Sequence, residues 1–198
     1  MTGSGGSGLR ERKKAQTRRA IQQHAMRLFL AKGYEATTVQ EIAAAAGVSH
    51  MTFFRYFPTK EDVVLADEYD PVVVDLVRAR PAGEPDLEKI RHALVAGLAR
   101  VYATDRDTLL ERTRLVLRTP ALRARLWQDQ SQTQELLVRA LVSEGRGEVD
   151  LRTRVLVAAC LATVTTAVLV WVEEDGAPDL PDLVERAFIV LRGGLVAP

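Results

Sequence analysis

The sequence is poor in the residues that build disulfides and metal sites. Its 198 residues include one cysteine, Cys160, so no internal disulfide can form, and a reducing cytoplasm is the expected compartment. The histidines His24, His50 and His92 lack the spacing of metal ligands, and no glycine-rich phosphate loop is present. These absences exclude disulfide-stabilised proteins and argue against an enzyme. We expect no catalytic residue, no metal and no cofactor.

Strand-like alternation of apolar and polar residues is also missing, so the sequence predicts an all-α fold. Residues 1–9 are mostly glycine and serine, which predicts a disordered tail without the apolar region of an export signal. Proline, glycine and aspartate divide the chain beyond residue 60 into helices. The predicted helices are Lys60–Arg80, Asp86–Ala103, Asp105–Arg118, Pro120–Glu144, Asp150–Glu174 and Pro181–Leu191.

Acidic residues are absent between Glu41 and Glu61, although the chain has 26 of them. The formal net charge of +1 conceals an uneven distribution. Residues 9–63 carry ten Lys and Arg against five acids, giving +5, and the remainder carries seventeen against twenty-one, giving −4. A basic segment attracts a polyanion, whereas phosphates repel the acidic remainder. The N-terminal part is therefore the candidate nucleic-acid interface.

The segment from Thr37 to Lys60 has the pattern of two short helices joined by a tight turn. Thr38 is an N-cap candidate, and Glu41 three residues later completes a capping box. A helix is therefore predicted over residues 39–46. Gly47 ends it, because glycine adopts the left-handed conformation that stops a helix.

Ser49 is the N-cap candidate of the second helix, which is predicted from His50 to Phe57 and ends before Pro58. Two short helices joined in this way form a helix-turn-helix, in which the second helix enters the major groove of DNA. An ordinary helical hairpin would have the same spacing. It is disfavoured because the second helix is too short for a core element and carries polar groups that can contact bases or phosphates. These groups are His50, Thr52, Arg55 and Tyr56.

A basic segment, residues 9–19, begins the first helix. It is either a solvated helix start or an N-terminal arm that contacts phosphates or the minor groove. The helix then continues with Ile21, Ala25 and Phe29 on one face, and Gly33 is its expected C-terminal cap.

These residues resemble the TetR-type bacterial transcriptional regulators, over residues 12–64 or about a quarter of the chain. The resemblance implies an all-helical homodimer. Residues 10–62 would form a three-helix helix-turn-helix domain that binds a half-site of a palindromic double-stranded operator. Residues 63–198 would form a helical effector-binding and dimerisation domain. The matching positions are Ala25, Leu28, Phe29, Gly33, Tyr34, Thr37, Thr38, Ile42, Ala43, Ala46, Gly47, Val48, Ser49, Thr52, Tyr56, Phe57, Lys60 and Glu61.

The resemblance also implies which side chains contact DNA. Phosphate contacts fall to Thr38, Ser49, Tyr56 and Lys60, and base-edge or groove contacts to Gln40, His50, Met51, Thr52 and Arg55. The family usually has a tyrosine where this chain has Phe54, so one phosphate hydrogen bond is lost. Arg55 can compensate with a charge-assisted bond to phosphate or a bidentate bond to guanine. Phe53 and Phe57 are expected in the core of the small domain.

The stretch from Val155 to Val172 contains no charge and is long enough to resemble a membrane span. It contains three threonines and stands alone, so we interpret it as a helix with one face on the core and another on a partner subunit. The final helix, with Phe188 as an interface position, would complete a four-helix contact. We therefore expect a homodimer through the last two helices and no membrane association.

The effector site is predicted on the long helices of the C-terminal part. Convergent charge is scarce there, which favours a largely apolar effector such as a lipid-like, aromatic or polyketide-type molecule. The expected function is an effector-released repressor in the bacterial cytoplasm, associated with the nucleoid. A constitutive DNA-binding protein without an effector is the alternative. Candidate ligand contacts are Leu110, Arg114, Trp127, Gln130, Thr163, Thr166 and Trp171.

Overall fold

The computed structural model describes residues 5–65, 69–142 and 149–194, and these form helices and no strand, as the sequence predicts. They divide into two compact units. The first comprises the described residues up to position 65 together with residues 115–125, and the second comprises the remaining described residues. The helices are α1 (Gly5–Lys32), α2 (Val39–Ala45), α3 (His50–Tyr56), α4 (Lys60–Leu65), α5 (Tyr69–Arg78), α6 (Asp86–Thr104), α7 (Arg106–Arg118), α8 (Pro120–Val142), α9 (Leu151–Glu173) and α10 (Leu180–Gly194).

The predicted boundaries differ from the structure mainly at the N-terminus. α1 begins at Gly5, inside the predicted disordered tail, whereas residues 1–4 lie outside the described residues. Adding a residue to an existing helix costs far less than starting one, which explains how α1 continues into a tract of weak helix formers. The predicted helix over residues 60–80 corresponds to α4 and α5, and residues 66–68 lie outside the described residues.

The first unit packs α1 against α2 and α4, and α2 against α3. Phe53 and Phe57 are fully buried, which confirms their predicted place in its core. Val116 and Leu122 belong to the same core, so this unit takes in residues beyond the predicted range 10–62. The other buried members are Ile21, Ala25, Met26, Phe29, Tyr34, Ile42, Ala43, Val63 and Val64.

The second unit is arranged around α6, which packs against α5, α9 and α10. α9 contributes Cys160 and Trp171, both with no exposed surface. Burial raises the pKa of the Cys160 thiol to about 12, so the thiol is protonated at neutral pH. The Trp171 indole N–H donates to the Pro178 carbonyl at 3.1 Å, which satisfies the one polar atom of this buried ring.

The apolar residues of α9 and α10 that are exposed on the single chain differ from those expected at a subunit interface. Phe188, expected at a subunit interface, has no exposed surface and lies in the core of its own unit, so this assignment was wrong. The exposed large apolar residues described on these helices are Ile189 at 65 % and Val190 at 72 % on α10, with Leu151 at 77 % and Val155 at 58 % on α9. In the most apolar 18-residue window of α9, 28 % of the residues are buried within the chain. By length and composition alone, this helix could also cross a membrane.

The turn between α9 and α10 requires a glycine. Gly176 has φ +75°, and its N–H donates to the Trp171 carbonyl at 2.8 Å. A Cβ at this position would lie 2.8 Å from the Leu110 Cδ2 atom, which is closer than real Cβ contacts allow. Both the backbone conformation and the packing therefore disfavour a side chain here, because Leu110 would have to shift to admit one.

We expect Gly176→Ala to lower the free energy of unfolding by about 1–3 kcal/mol, through left-handed strain and overpacking against Leu110. Gly83→Ala is the matched control, because a Cβ at Gly83 meets no atom within 4 Å, and it should stay within about 0.5 kcal/mol of wild type. Urea denaturation followed by circular dichroism measures both. Equal stability of the two variants would contradict this account of the turn.

Candidate functional site

The N-terminus of α2 is fixed by the predicted capping box. The Thr38 hydroxyl oxygen accepts from the Glu41 N–H at 3.3 Å, and the Glu41 carboxylate accepts from the Thr38 N–H at 2.8 Å. Lys32 contacts the same carboxylate, and this ammonium together with Thr38 lowers the pKa of Glu41 to about 2. The Thr38 hydroxyl also donates to Glu41 at 2.8 Å, so a phosphate oxygen would have to compete for that proton.

The turn from α2 to α3 follows the sequence prediction closely. Gly47 has φ +65°, and the Val48 N–H donates to the Ala43 carbonyl at 3.0 Å, which closes the end of α2. Ser49 caps α3: its hydroxyl accepts from the Thr52 N–H at 3.1 Å and donates to the Thr52 hydroxyl at 2.9 Å. The first turn of α3 is therefore held by side chains that are themselves predicted DNA contacts.

α3 has a buried face and an exposed face; of the predicted groove contacts on this helix, His50, Met51 and Arg55 are exposed and Thr52 is half-buried. Phe53 points into the core, whereas Met51 is 79 % exposed and His50 and Arg55 are also exposed. Phe54 is 39 % exposed, and the His50 ring meets its edge at 4.7 Å between centroids. The outer surface of α3 thus combines apolar and cationic or hydrogen-bonding groups, which suits base edges in a groove.

The predicted DNA contacts all have exposed or half-buried side chains, and the structure brings them together in the first unit. Each lies on α2 or α3, at an N-cap, or at the start of α4. They are Thr38, Gln40, Ser49, His50, Met51, Thr52, Arg55, Tyr56 and Lys60.

Lys60 has a structural role that sequence spacing does not reveal. Its ammonium donates to the Tyr34 carbonyl at 3.0 Å and the Thr37 carbonyl at 3.2 Å, and it lies 4.0 Å from the centre of the Tyr34 ring. The Tyr34 hydroxyl donates to Glu61 at 2.7 Å, and burial together with this carboxylate raises the pKa of Tyr34. An ammonium has three donors, and two of those of Lys60 are used within the first unit.

Arg18 was not among the functional residues predicted from the sequence, but it contacts α3. Its guanidinium donates to the Tyr56 carbonyl at 3.3 Å and lies 4.6 Å from the centre of the Phe57 ring. Arg18 therefore joins α1 to the C-terminal end of α3. Its position seven residues before Ala25, on the same helical face, is the signal that could have indicated this contact.

The candidate ligand contacts fall into two groups. The first group surrounds the turn between α9 and α10: Leu110 is 6 % exposed, and Trp171 donates to the Pro178 carbonyl. Arg114 also belongs here, because its guanidinium donates to the Asp175 carboxylate at 2.7 Å. These three side chains already have partners within the unit, which fits a role in holding the turn.

The second group lies on α8 and α9, and one of its members makes a hydrogen bond between the two helices. The Gln130 amide donates to the Thr165 hydroxyl at 3.4 Å. Thr163 and Thr166 each donate to the carbonyl four residues earlier in α9, at 2.8 and 2.9 Å, so both hydroxyl protons are satisfied within the helix. The side chain of Trp127 lies outside the described residues.

Two family models match the chain. The model described as bacterial regulatory proteins, tetR family, matches residues 21–66, which include the capping box, the turn and α3. The model described as the MftR C-terminal domain matches residues 84–196, or more than half of the chain.

Individual relatives and solved structures agree with these matches. The HTH-type transcriptional regulator TcmR of Streptomyces glaucescens is 37 % identical over 152 residues, which cover 73 % of this chain and 67 % of TcmR. The FadR structure from Thermus thermophilus, a TetR-family transcriptional repressor in complex with lauroyl-CoA, is 29 % identical with a TM-score of 0.58, covering 91 % of this chain and 96 % of that one. FadR from Bacillus halodurans is 29 % identical with a TM-score of 0.63, covering 92 % and 97 %. The chain therefore belongs to the tetR family of bacterial regulatory proteins, as a transcriptional regulator with a helix-turn-helix DNA-binding domain and a C-terminal ligand-binding domain.

Proposed function

We propose that this regulator is a repressor that binds a palindromic operator as a homodimer and is released by a small apolar effector. The outer surface of α3 is the observation that carries the DNA-binding part. His50, Met51 and Arg55 are exposed there, while Phe53 fixes the opposite face in the core. Repression would take place in the bacterial cytoplasm, at operators in the nucleoid.

A homodimer is proposed because α9 and α10 leave apolar side chains exposed on the single chain. Val155, Ile189 and Val190 are each more than half exposed. Isolated exposed apolar residues are common, but a concentration of them on two adjacent helices indicates an interface. A partner subunit that contributes the same two helices would cover this surface with the symmetry of most homodimers.

An effector with an acyl chain is proposed for two reasons. First, a solved relative at 29 % identity is described in complex with lauroyl-CoA. Second, the Thr163 and Thr166 hydroxyls are satisfied within α9, so the ligand would meet mainly apolar surface and the Gln130 amide. The proposed contacts are Gln130 on α8 and Thr163 and Thr166 on α9, and Trp127, whose side chain lies outside the described residues, stays a further candidate. Leu110, Arg114 and Trp171 would act from outside it by holding the α9–α10 turn.

Release from DNA would follow from a difference in affinity between two conformations. In one conformation the two α3 helices of the dimer, its recognition helices, are wrongly spaced for the operator. An effector that binds this conformation better shifts the population towards it. By thermodynamic linkage the operator then weakens effector binding by the same factor, typically about 5- to 150-fold.

Two substitutions test whether Tyr56 contacts phosphate and His50 contacts bases. Tyr56→Phe removes one hydroxyl predicted to meet phosphate, so it should weaken binding to every duplex by roughly tenfold. His50→Ala should weaken binding to the operator while leaving binding to a scrambled duplex unchanged. Fluorescence anisotropy with an operator selected from random DNA measures both losses. Equal losses on operator and scrambled duplex for both variants would refute the assignment.

The proposed dimer predicts that Val190→Glu yields a monomer, because the carboxylate would be buried without a partner at a cost of about 3–5 kcal/mol. Leu30→Glu is the control, since Leu30 is an exposed apolar residue of α1, at 52 %, outside the proposed interface. Sedimentation velocity at micromolar concentration distinguishes the two. If Val190→Glu remains dimeric, dimerisation uses another surface.

The effector part predicts that saturating lauroyl-CoA lowers the operator affinity of the wild type by about 5- to 150-fold. Thr163→Phe should abolish this release while leaving affinity without ligand within a few-fold. Thr163→Val, which keeps the volume and loses only a hydroxyl satisfied within α9, should preserve the release. If neither lauroyl-CoA nor a broad screen of apolar metabolites shifts wild-type affinity, the constitutive DNA-binding alternative replaces the effector-released repressor.

A further inference from the structure

The N-terminal half of α1 extends beyond the core of the first unit. Ile21 is the first fully buried residue among the side chains of this helix that the structure describes, and residues 5–20, which precede it, extend for about 24 Å at 1.5 Å per residue. Within this extension five cationic side chains are exposed, and Glu11 is the one acid in its sequence. The exposed cations are Arg10, Arg12, Lys13, Lys14 and Arg19.

The cations of the extension lie on different faces of α1. Arg10, Lys14 and Arg18 are spaced by four residues and form a continuous row, the basic stripe, on the face that continues into Ile21. Arg12 and Arg19 lie on the opposite face, where they line one shallow groove. The helix therefore presents two similarly charged faces. The face with the basic stripe is the one that also carries Ile21, which packs in the core of the first unit.

Arg18 places the basic stripe relative to α3. It donates to the Tyr56 carbonyl at the C-terminal end of α3 and lies over the Phe57 ring at 4.6 Å. Tyr56 is the residue expected to meet the sugar-phosphate backbone beside the groove. The basic stripe therefore starts with Arg18 at the C-terminal end of α3. Its exposed members Lys14 and Arg10 follow towards the N-terminus of α1.

We propose that Arg10 and Lys14 bind the DNA phosphates that flank each half-site, with Arg18 as the residue that positions them. This inference rests on the proposed operator binding and adds a contact outside α2 and α3. Arg10 and Lys14 are about one helical turn apart, about 6 Å along the axis of α1, so both side chains can reach the same short phosphate segment of one strand, which carries a charge about every 3.4 Å of duplex axis. Phosphate contacts supply affinity and register and carry no base preference.

The test compares two double variants of the full chain that remove the same charge from the same helix. Arg10→Gln with Lys14→Gln neutralises the exposed part of the stripe, and Arg12→Gln with Arg19→Gln neutralises the opposite face. Each is titrated against the selected operator in two duplexes. One has flanks of about 8 base pairs, long enough for the proposed contacts, and the other ends at the outer edge of the half-sites.

On the flanked duplex the stripe variant should bind about tenfold more weakly than wild type, and its salt slope should fall by about two per protomer. On the trimmed duplex it should bind like wild type within about twofold, because the flanking phosphates are absent. The opposite-face variant should follow wild type on both duplexes.

Three results would overturn the inference while leaving operator binding intact. Equal losses in the two variants would mean a general charge effect, and no loss in the stripe variant would mean a solvated helix start. A loss restricted to A·T-rich flanks would indicate minor-groove insertion in place of phosphate contact. If the wild type selects no operator at all, the proposed function itself fails, which is a separate outcome.

Discussion

Two buried aromatic rings determine which way the recognition helix faces. Phe53 and Phe57 are four residues apart and fully buried, in contact at 6.0 Å between ring centres. Exposing one buried phenylalanine costs on the order of 3 kcal/mol, so α3 cannot rotate about its axis without losing much of the stability of a small domain. His50, Met51 and Arg55 are held outward as a result. Their identities can vary without affecting the fold, because they pack against little of it.

The C-terminal end of α3 and the turn between α1 and α2 are held by cations bonded to backbone carbonyls. Arg18 donates to the last residue of α3, and Lys60 donates to two carbonyls of the α1–α2 turn. In the second unit both kinds of contact occur: Arg91 on α6 donates to the Glu185 carboxylate on α10 at 2.6 Å, and Arg106 donates to the Gly176 carbonyl. The basic first unit therefore uses part of its charge internally, and only the exposed cations remain for a polyanion.

Local chemistry in the sequence was sufficient for the helix-turn-helix and for most helix boundaries beyond residue 80, but not for the start of α1 or for the two helices α4 and α5. Thr38, Gly47 and Ser49 act within a few residues of themselves, so their roles follow from spacing alone. Contacts between distant residues could not be deduced. α10 is apolar on more than one face, and its periodicity could not tell that Phe188 faces the core while Val190 faces outward. The same limit applies to the candidate ligand residues and to Lys60, whose partners lie 23 and 26 residues away in sequence.

The burial of Cys160 has a consequence for the signals this regulator can receive. The only thiol in the chain has no exposed surface and is protonated at neutral pH, whereas the thiolate is the form that reacts with peroxides, disulfides and electrophiles. In the folded protein this thiol is therefore shielded from such reagents, and an oxidative signal would have to act on another residue, such as the exposed Met51.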